Sequence, residues 1–166
     1  MPRLNTPLNA LDPANGWVNA PVHVHELSGW PVLLHFFSSS SEGSVDQVPE
    51  LLALVERFKA QGLKVVGVHV PLNEGDIDTN YVEQQMRRLK VSWPVAVDDS
   101  GTEHSITRAH DVQGIPSLLV FDRNGLLRHH ASGPRAVADI EAALADVTRE
   151  EEASVPASAY AEGAAP

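Results

Sequence analysis

The chain has no cysteine among its 166 residues. As written it has no sulfur for disulfide exchange and no thiolate for a metal cluster. Cysteine usage normally indicates the redox compartment, but a thiol-free chain is compatible with any compartment. Cationic charge is also scarce, with 12 Lys and Arg against 22 Asp and Glu and a net charge of −10. That balance argues against nucleic acid, because displacing counterions from phosphates takes Lys and Arg. It disfavours an anionic membrane surface for the same reason. No segment approaches the ~20 apolar residues that span a bilayer, and Met1-Pro2-Arg3-Leu4-Asn5-Thr6 lacks the apolar core of a signal peptide. The expectation is a cytoplasmic protein with no membrane partner. Internal repeats, Gly-rich phosphate loops and a Gly-x-Ser-x-Gly elbow are absent too.

What is present is an ordinary apolar fraction, 43%, in a chain long enough to bury a real core as one domain. The expected domain covers residues 1–148, with 1–20 wrapping its surface and 149–166 forming a disordered acidic, Ala-rich tail. Val32-Leu33-Leu34-His35-Phe36-Phe37 and Leu63-Lys64-Val65-Val66-Gly67-Val68-His69-Val70 read as strands buried on both faces. Between them Val45, Val48, Leu51, Leu52, Val55 and Phe58 recur at helical spacing. Ser44 and Gln47 make a capping-box pattern that starts this helix there or just before. Pro49 falls inside it and Gln61-Gly62 closes it. Strand, helix, strand implies a right-handed crossover between parallel strands.

Pro21 to Leu27 reads as a short strand or a helical turn, and Pro71 to Asp78 as a loop. Tyr81, Val82, Met86 and Leu89 mark a second helix that Asp78 or Thr79 can cap. Pro94 to Asp98 is a third strand, and Ile106 to His110 a short helix. Asn124-Gly125, between Ser117–Asp122 and Leu126–His130, is a strong hairpin signal. Gly133-Pro134 leads into a last helix with Val137, Ile140, Leu144 and Val147 on one face, Pro134 taking an early helical position. The sum is an α/β fold: a mixed sheet, parallel in its first half and ending in an antiparallel hairpin, with helices on both faces.

Phe36-Phe37, the polar run Ser38 to Ser40, Ser41-Glu42-Gly43-Ser44 and Pro49-Glu50-Leu51 follow one another without a gap. Val66-Gly67-Val68-His69 with Pro71, Trp93 to Asp98, Val112 to Pro116 and Phe121 to Gly125 follow in order. With these pieces, over roughly residues 16–147, the chain resembles the thioredoxin fold. More narrowly it is similar to the TlpA-like thiol-disulfide oxidoreductases, including the soluble domains of DipZ-type electron-transfer proteins. The resemblance implies that Ser41 and Ser44 stand where the family has the cysteines of Cys-x-x-Cys. It also implies that Ile115-Pro116 is the family's cis-proline turn. Gln47 stands where many members carry a glutamate.

The resemblance makes Ser41 and Ser44 the catalytic positions, with His35 a candidate proton relay. It makes Ile115, Pro116, Glu42 and Gly43 the substrate-facing residues. The residues alone equally allow Ser41 and Ser44 as helix caps and His35 as a core histidine. No cofactor is expected and no metal ligands are assigned. His23, His25, His69, His129 and His130 lack the carboxylates or thiolates of a recognisable metal set. The serines fit either an engineered replacement or a natural loss. Three readings follow. The first is a redox-inert member of an oxidoreductase family, whose partners are proteins or disulfide-bearing peptides. The second is a non-catalytic module holding a peptide or protein partner beside Ile115-Pro116. The third, weakest, is a histidine-based metal carrier.

Overall fold

The structure, a computed structural model, describes residues 1–99 and 105–150; the expected tail beyond Glu150 lies outside them. Six strands form one sheet in the order β1-β4-β3-β2-β5-β6. They are β1 (Trp17–Val18), β2 (Val32–Phe37), β3 (Lys64–His69), β4 (Val95–Val97), β5 (Ser117–Phe121) and β6 (Leu127–Ser132). Strands β2, β3 and β4 run parallel, while β5, β6 and β1 pair antiparallel. The mixed architecture read from the sequence is the one observed.

The helices are α1 (Glu42–Lys59), α2 (Thr79–Leu89), α3 (Ile106–Ala109) and α4 (Ala136–Arg149). Alternation along β2 decides what each covers, because successive side chains point to opposite faces. Leu33, Leu118 and Val120 pack under Leu51 of α1 and Ile140 and Leu144 of α4. Phe37, on the same face, meets Val48 of α1 and Val82 and Met86 of α2. Val32, Leu34 and Phe36 face the other way, onto Leu11, Leu27 and Ile106 of α3.

The N-terminal segment does more than wrap. Leu11 is buried in the second face, Trp17–Val18 add an edge strand to β4, and Asn5, Thr6 and Leu8 hydrogen-bond to Gly125 and Leu127. Val24–Leu27 form one 3-10 turn and Glu74–Ile77 another. Helix α1 begins before Ser44, with Ser41 as its cap, and runs through Pro49. The Ser44–Gln47 capping box does not form, because Ser41 is the cap and Ser44 already lies inside the helix; the Gln47 amide donates to the Gly133 carbonyl. Pro134 lies outside α4, which starts at Ala136. Gly133 ahead of it holds φ +86° and donates its N–H to the Pro116 carbonyl.

Two side chains tie distant segments together. The Asp98 carboxylate, at the end of β4, accepts from Ile106 N and Thr107 N, both at 2.9 Å, and from the hydroxyls of Ser105 (3.0 Å) and Thr107 (2.6 Å). It thereby satisfies the free N–H groups at the start of α3. Arg123, at the hairpin tip, donates to the carbonyls of Glu150 (2.8 Å), Thr148 (3.1 Å), Gln61 (3.1 Å) and Gly29 (3.4 Å). One guanidinium thus fastens the ends of α1 and α4 to the hairpin. Gly62 beside it has φ +92°, and a β-carbon there would stand 2.9 Å from the Trp30 ring.

Charge-assisted hydrogen bonds contribute more than neutral ones. Arg123→Ala is therefore expected to lower unfolding stability by about 2 kcal/mol, and Arg123→Lys to restore less than half, since an ammonium cannot present the same planar fork. Urea denaturation of the three proteins at neutral pH tests this. A loss below about 0.5 kcal/mol would mean that the four carbonyls find water equally well.

Candidate functional site

The carboxyl ends of β2 and β3 meet the start of α1. Here the chain must turn sharply from a buried strand into a helix, and every backbone N–H on the way needs an acceptor. The serines supply several. The Ser41 hydroxyl accepts the Ser44 N–H at 3.3 Å, and the Ser44 hydroxyl, fully buried, accepts the Ser38 N–H at 3.3 Å. The Ser38 hydroxyl accepts the Ser40 N–H at 3.1 Å. The two residues that resemblance placed at the cysteine positions therefore act here as the helix cap and as the acceptor that closes the turn before it.

Two further side chains complete the turn: His69, weighed from sequence only as a metal candidate, and Asp76, given no role there. His69 ends β3, fully buried, and its Nε2 accepts the Ser39 N–H at 3.0 Å, with the Ser39 hydroxyl 2.9 Å away. That acceptance requires a neutral ring protonated on Nδ1, which has no partner among the described residues. Asp76, buried in the second 3-10 turn, accepts from the Ser40 hydroxyl (2.7 Å), Leu72 N (2.8 Å) and Asn73 N (3.2 Å). Burial works to raise its pKa, but these hydrogen bonds and His69 outweigh it and hold the carboxyl below its usual range. The sequence signal for Asp76 was slight: an Asn three residues before it, in a stretch read as loop.

Ser39 and His69 do not make a hydrolytic triad. The Asp76 oxygens are engaged by Ser40, Leu72 and Asn73, and His69 Nδ1 has no hydrogen-bond partner among the described residues. Without an orienting third group the pair lacks the arrangement that activates a serine.

His35 lies on β2 within the sheet, opposite Gly67 and Leu118, wholly buried and stacked 4.4 Å from Phe37. Neither ring nitrogen has a partner among the described residues. Burial, and then the neighbouring His69, push its pKa down to about 3. Burial also lowers His69, to about 4, with Asp76 pulling the other way. Both rings are neutral at physiological pH.

The Ile115–Pro116 peptide is cis. The β2–β5 register ends at Phe36 opposite Ser117, the residue that follows Pro116. Gly133 connects the turn to α1: it takes the Gln47 amide on its carbonyl and gives its N–H to Pro116. Ile115 is half-buried, and its own N–H and C=O have no partner among the described residues. Glu42 and Gly43, the first two residues of α1, are exposed, and their N–H groups are likewise unengaged. The structure thus gathers Ser41, Ser44, Glu42 and Gly43 at one helix start, tied through Gln47 and Gly133 to Pro116. His35 sits deeper, inside the sheet. Among the described residues, no group of three or more His, Cys, Asp and Glu is arranged to hold a metal.

Known proteins resemble the chain in sequence and fold. The profile of the AhpC/TSA family matches residues 8–130. Thiol-disulfide oxidoreductase YkuV of Bacillus subtilis (strain 168) is 29% identical over 151 residues, covering 90% of this chain and 99% of that protein. Thiol-disulfide oxidoreductase ResA of Geobacillus kaustophilus (strain HTA426) is 25% identical over 128 residues, covering 75% and 69%. A solution structure of a thioredoxin-like protein in the oxidized form superposes with TM-score 0.77 at 28% identity, over 90% of this chain and 99% of the other. The fold is thioredoxin-like, as expected.

The two buried imidazoles set an acid response. An unfolded histidine protonates near pH 6.5, whereas these two stay neutral in the fold to about 4 and about 3. Below pH 6.5 the unfolded state therefore binds more protons, and stability falls as pH falls, by up to about 1.4 kcal/mol per pH unit for each ring. His110, also lowered by burial, acts in the same sense. Asp76, whose pKa is depressed, contributes stability that is present above its ordinary pKa and is lost only in stronger acid. Denaturation of wild type and His35→Leu at pH 7, 6 and 5 is expected to show a shallower decline in the variant, by nearly one proton. Parallel declines would show that His35 is charged in the fold or takes no part.

Proposed function

Because the chain belongs to the AhpC/TSA family, we propose that it is a thioredoxin-like protein of the thiol-disulfide oxidoreductase type that is redox-inert in its present form. One observation carries this reading: both hydroxyls at the dithiol positions are engaged as backbone acceptors, Ser41 toward Ser44 N and Ser44 toward Ser38 N. Disulfide exchange needs a thiolate to attack sulfur and a second thiol to resolve the mixed disulfide. A serine hydroxyl ionises far too weakly, and oxygen cannot enter the S–S bond. The setting nevertheless suits a thiolate, since the unengaged N–H groups of Glu42 and Gly43 and the macrodipole of an 18-residue helix favour negative charge at Ser41.

A second reading concerns binding. The free N–H and C=O of Ile115, next to the Pro116 that Gly133 and Gln47 tie to α1, favour strand-like pairing with an extended peptide. In this reading the chain holds a protein or peptide partner without changing its redox state, in the cytoplasm.

Dithiothreitol-driven reduction of insulin separates these ideas. Wild type is expected to leave the rate at background. Ser41→Cys combined with Ser44→Cys is expected to form a reducible disulfide and to accelerate the reaction at least tenfold. A folded double variant that does neither would remove the oxidoreductase geometry. For binding, wild type is expected to retain a carboxymethylated, permanently unfolded protein that Ile115→Asp releases; equal retention by both would dispose of the groove.

A further inference from the structure

The sequence contains three lysines, Lys59, Lys64 and Lys90. All three line one cleft of about 540 Å³ between the last turn of α1, the start of β3 and the end of α2. This is the amino end of the parallel strands, opposite the serines. In a chain with 22 acidic residues and a net charge of −10, lysines are expected to be scattered among carboxylates. Here no lysine has an ion-pair partner among the described residues. Lys64 makes only a cation–π contact, its ammonium 4.5 Å from the Trp30 ring. Glu56 is the one carboxylate on the cleft wall, so the local balance is positive on a negative protein.

The rest of the wall is apolar. Val22, Leu52, Val55, Val65 and Trp93 contribute to it, and the volume lies within the range of small-molecule sites. An apolar trough rimmed by unpaired ammonium groups complements a molecule with a hydrocarbon body and one negative end. Lysine stems lie along apolar surface while their heads reach for charge, which suits such a rim. The contrast with the net negative charge of the protein favours an anion at this rim over the same anion elsewhere on acidic surface.

We infer that this cleft is a binding site for an amphipathic carboxylate, an aliphatic or aryl acid of roughly eight to twelve carbons, as fits a small-molecule site of this size. The site is independent of the serine turn and of the function proposed for it. The apolar body lies against Val55, Val65 and Trp93, and the carboxylate is shared among Lys59, Lys64 and Lys90. Trp93, half-buried in the wall, reports occupancy through its fluorescence.

Decanoate, decanol and decyltrimethylammonium are titrated into the full chain, with tryptophan fluorescence and calorimetry as readouts. Decanoate is expected to saturate one site with a midpoint below about 1 mM. The alcohol and the cation are expected to bind at least tenfold more weakly. The triple variant Lys59→Gln, Lys64→Gln, Lys90→Gln is expected to lose decanoate affinity by about tenfold, the sum of three exposed charge contacts. These lysines are exposed, so the variant is expected to keep its fold, checked by circular dichroism. Leu52→Trp, which fills the trough, is expected to abolish binding while leaving the lysines in place. Equal binding of alcohol and acid would overturn the proposal by showing a merely apolar cleft. Undiminished affinity in the triple variant, or no saturable binding by decanoate, would overturn it as well.

Discussion

The carboxyl end of the sheet depends on one hydrogen bond, from the Ser39 N–H to the neutral Nε2 of His69. A chain leaving a fully buried strand must satisfy its amides within a few residues or lose stability comparable to a missing bond. In this turn the imidazole does that from the neighbouring strand, while Asp76, in the next loop, holds the turn by accepting the Ser40 hydroxyl and satisfies the amide of Leu72 in its own loop. The serine side chains fill the remaining gaps. The turn is thus held from three directions, and the helix start inherits its position from them.

This has a consequence for chemistry. A reactive group at a helix start needs donors aimed at it and acceptors kept away from it. Such donors are present in the amides of Glu42 and Gly43. The hydroxyls at positions 41 and 44 are engaged in the turn itself. A helix start whose amides can stabilise a thiolate can equally be capped by a hydroxyl.

Much of this was legible in the residues. The continuous apolar runs at 32–37 and 64–69 announce central strands because both faces are covered, and Asn124-Gly125 fixes the hairpin because its turn needs a positive φ, observed at Gly125. The edge strand Trp17–Val18 was not legible, since two residues carry no period. Two serines three apart both read as caps. The choice of Ser41 follows from the demand of Ser38 N for the Ser44 hydroxyl, which only the folded turn reveals. His69 and Asp76 were hidden for a related reason: a strand histidine and a loop carboxylate take on meaning only when β3 and the 3-10 turn bring them against the serines. The convergence of the lysines is likewise a product of topology, joining positions 31 residues apart or fewer by way of two helix ends and a strand.

Asp98 fastens β4 to the start of α3 through four hydrogen bonds, gripping both flanks of the 99–105 connection. The span between those flanks is therefore set by a carboxylate and not by the length of the intervening chain. Removing that one carboxylate would leave two amides and two hydroxyls without their acceptor at once, so the strand end and the helix start stand or fall as a single clasp.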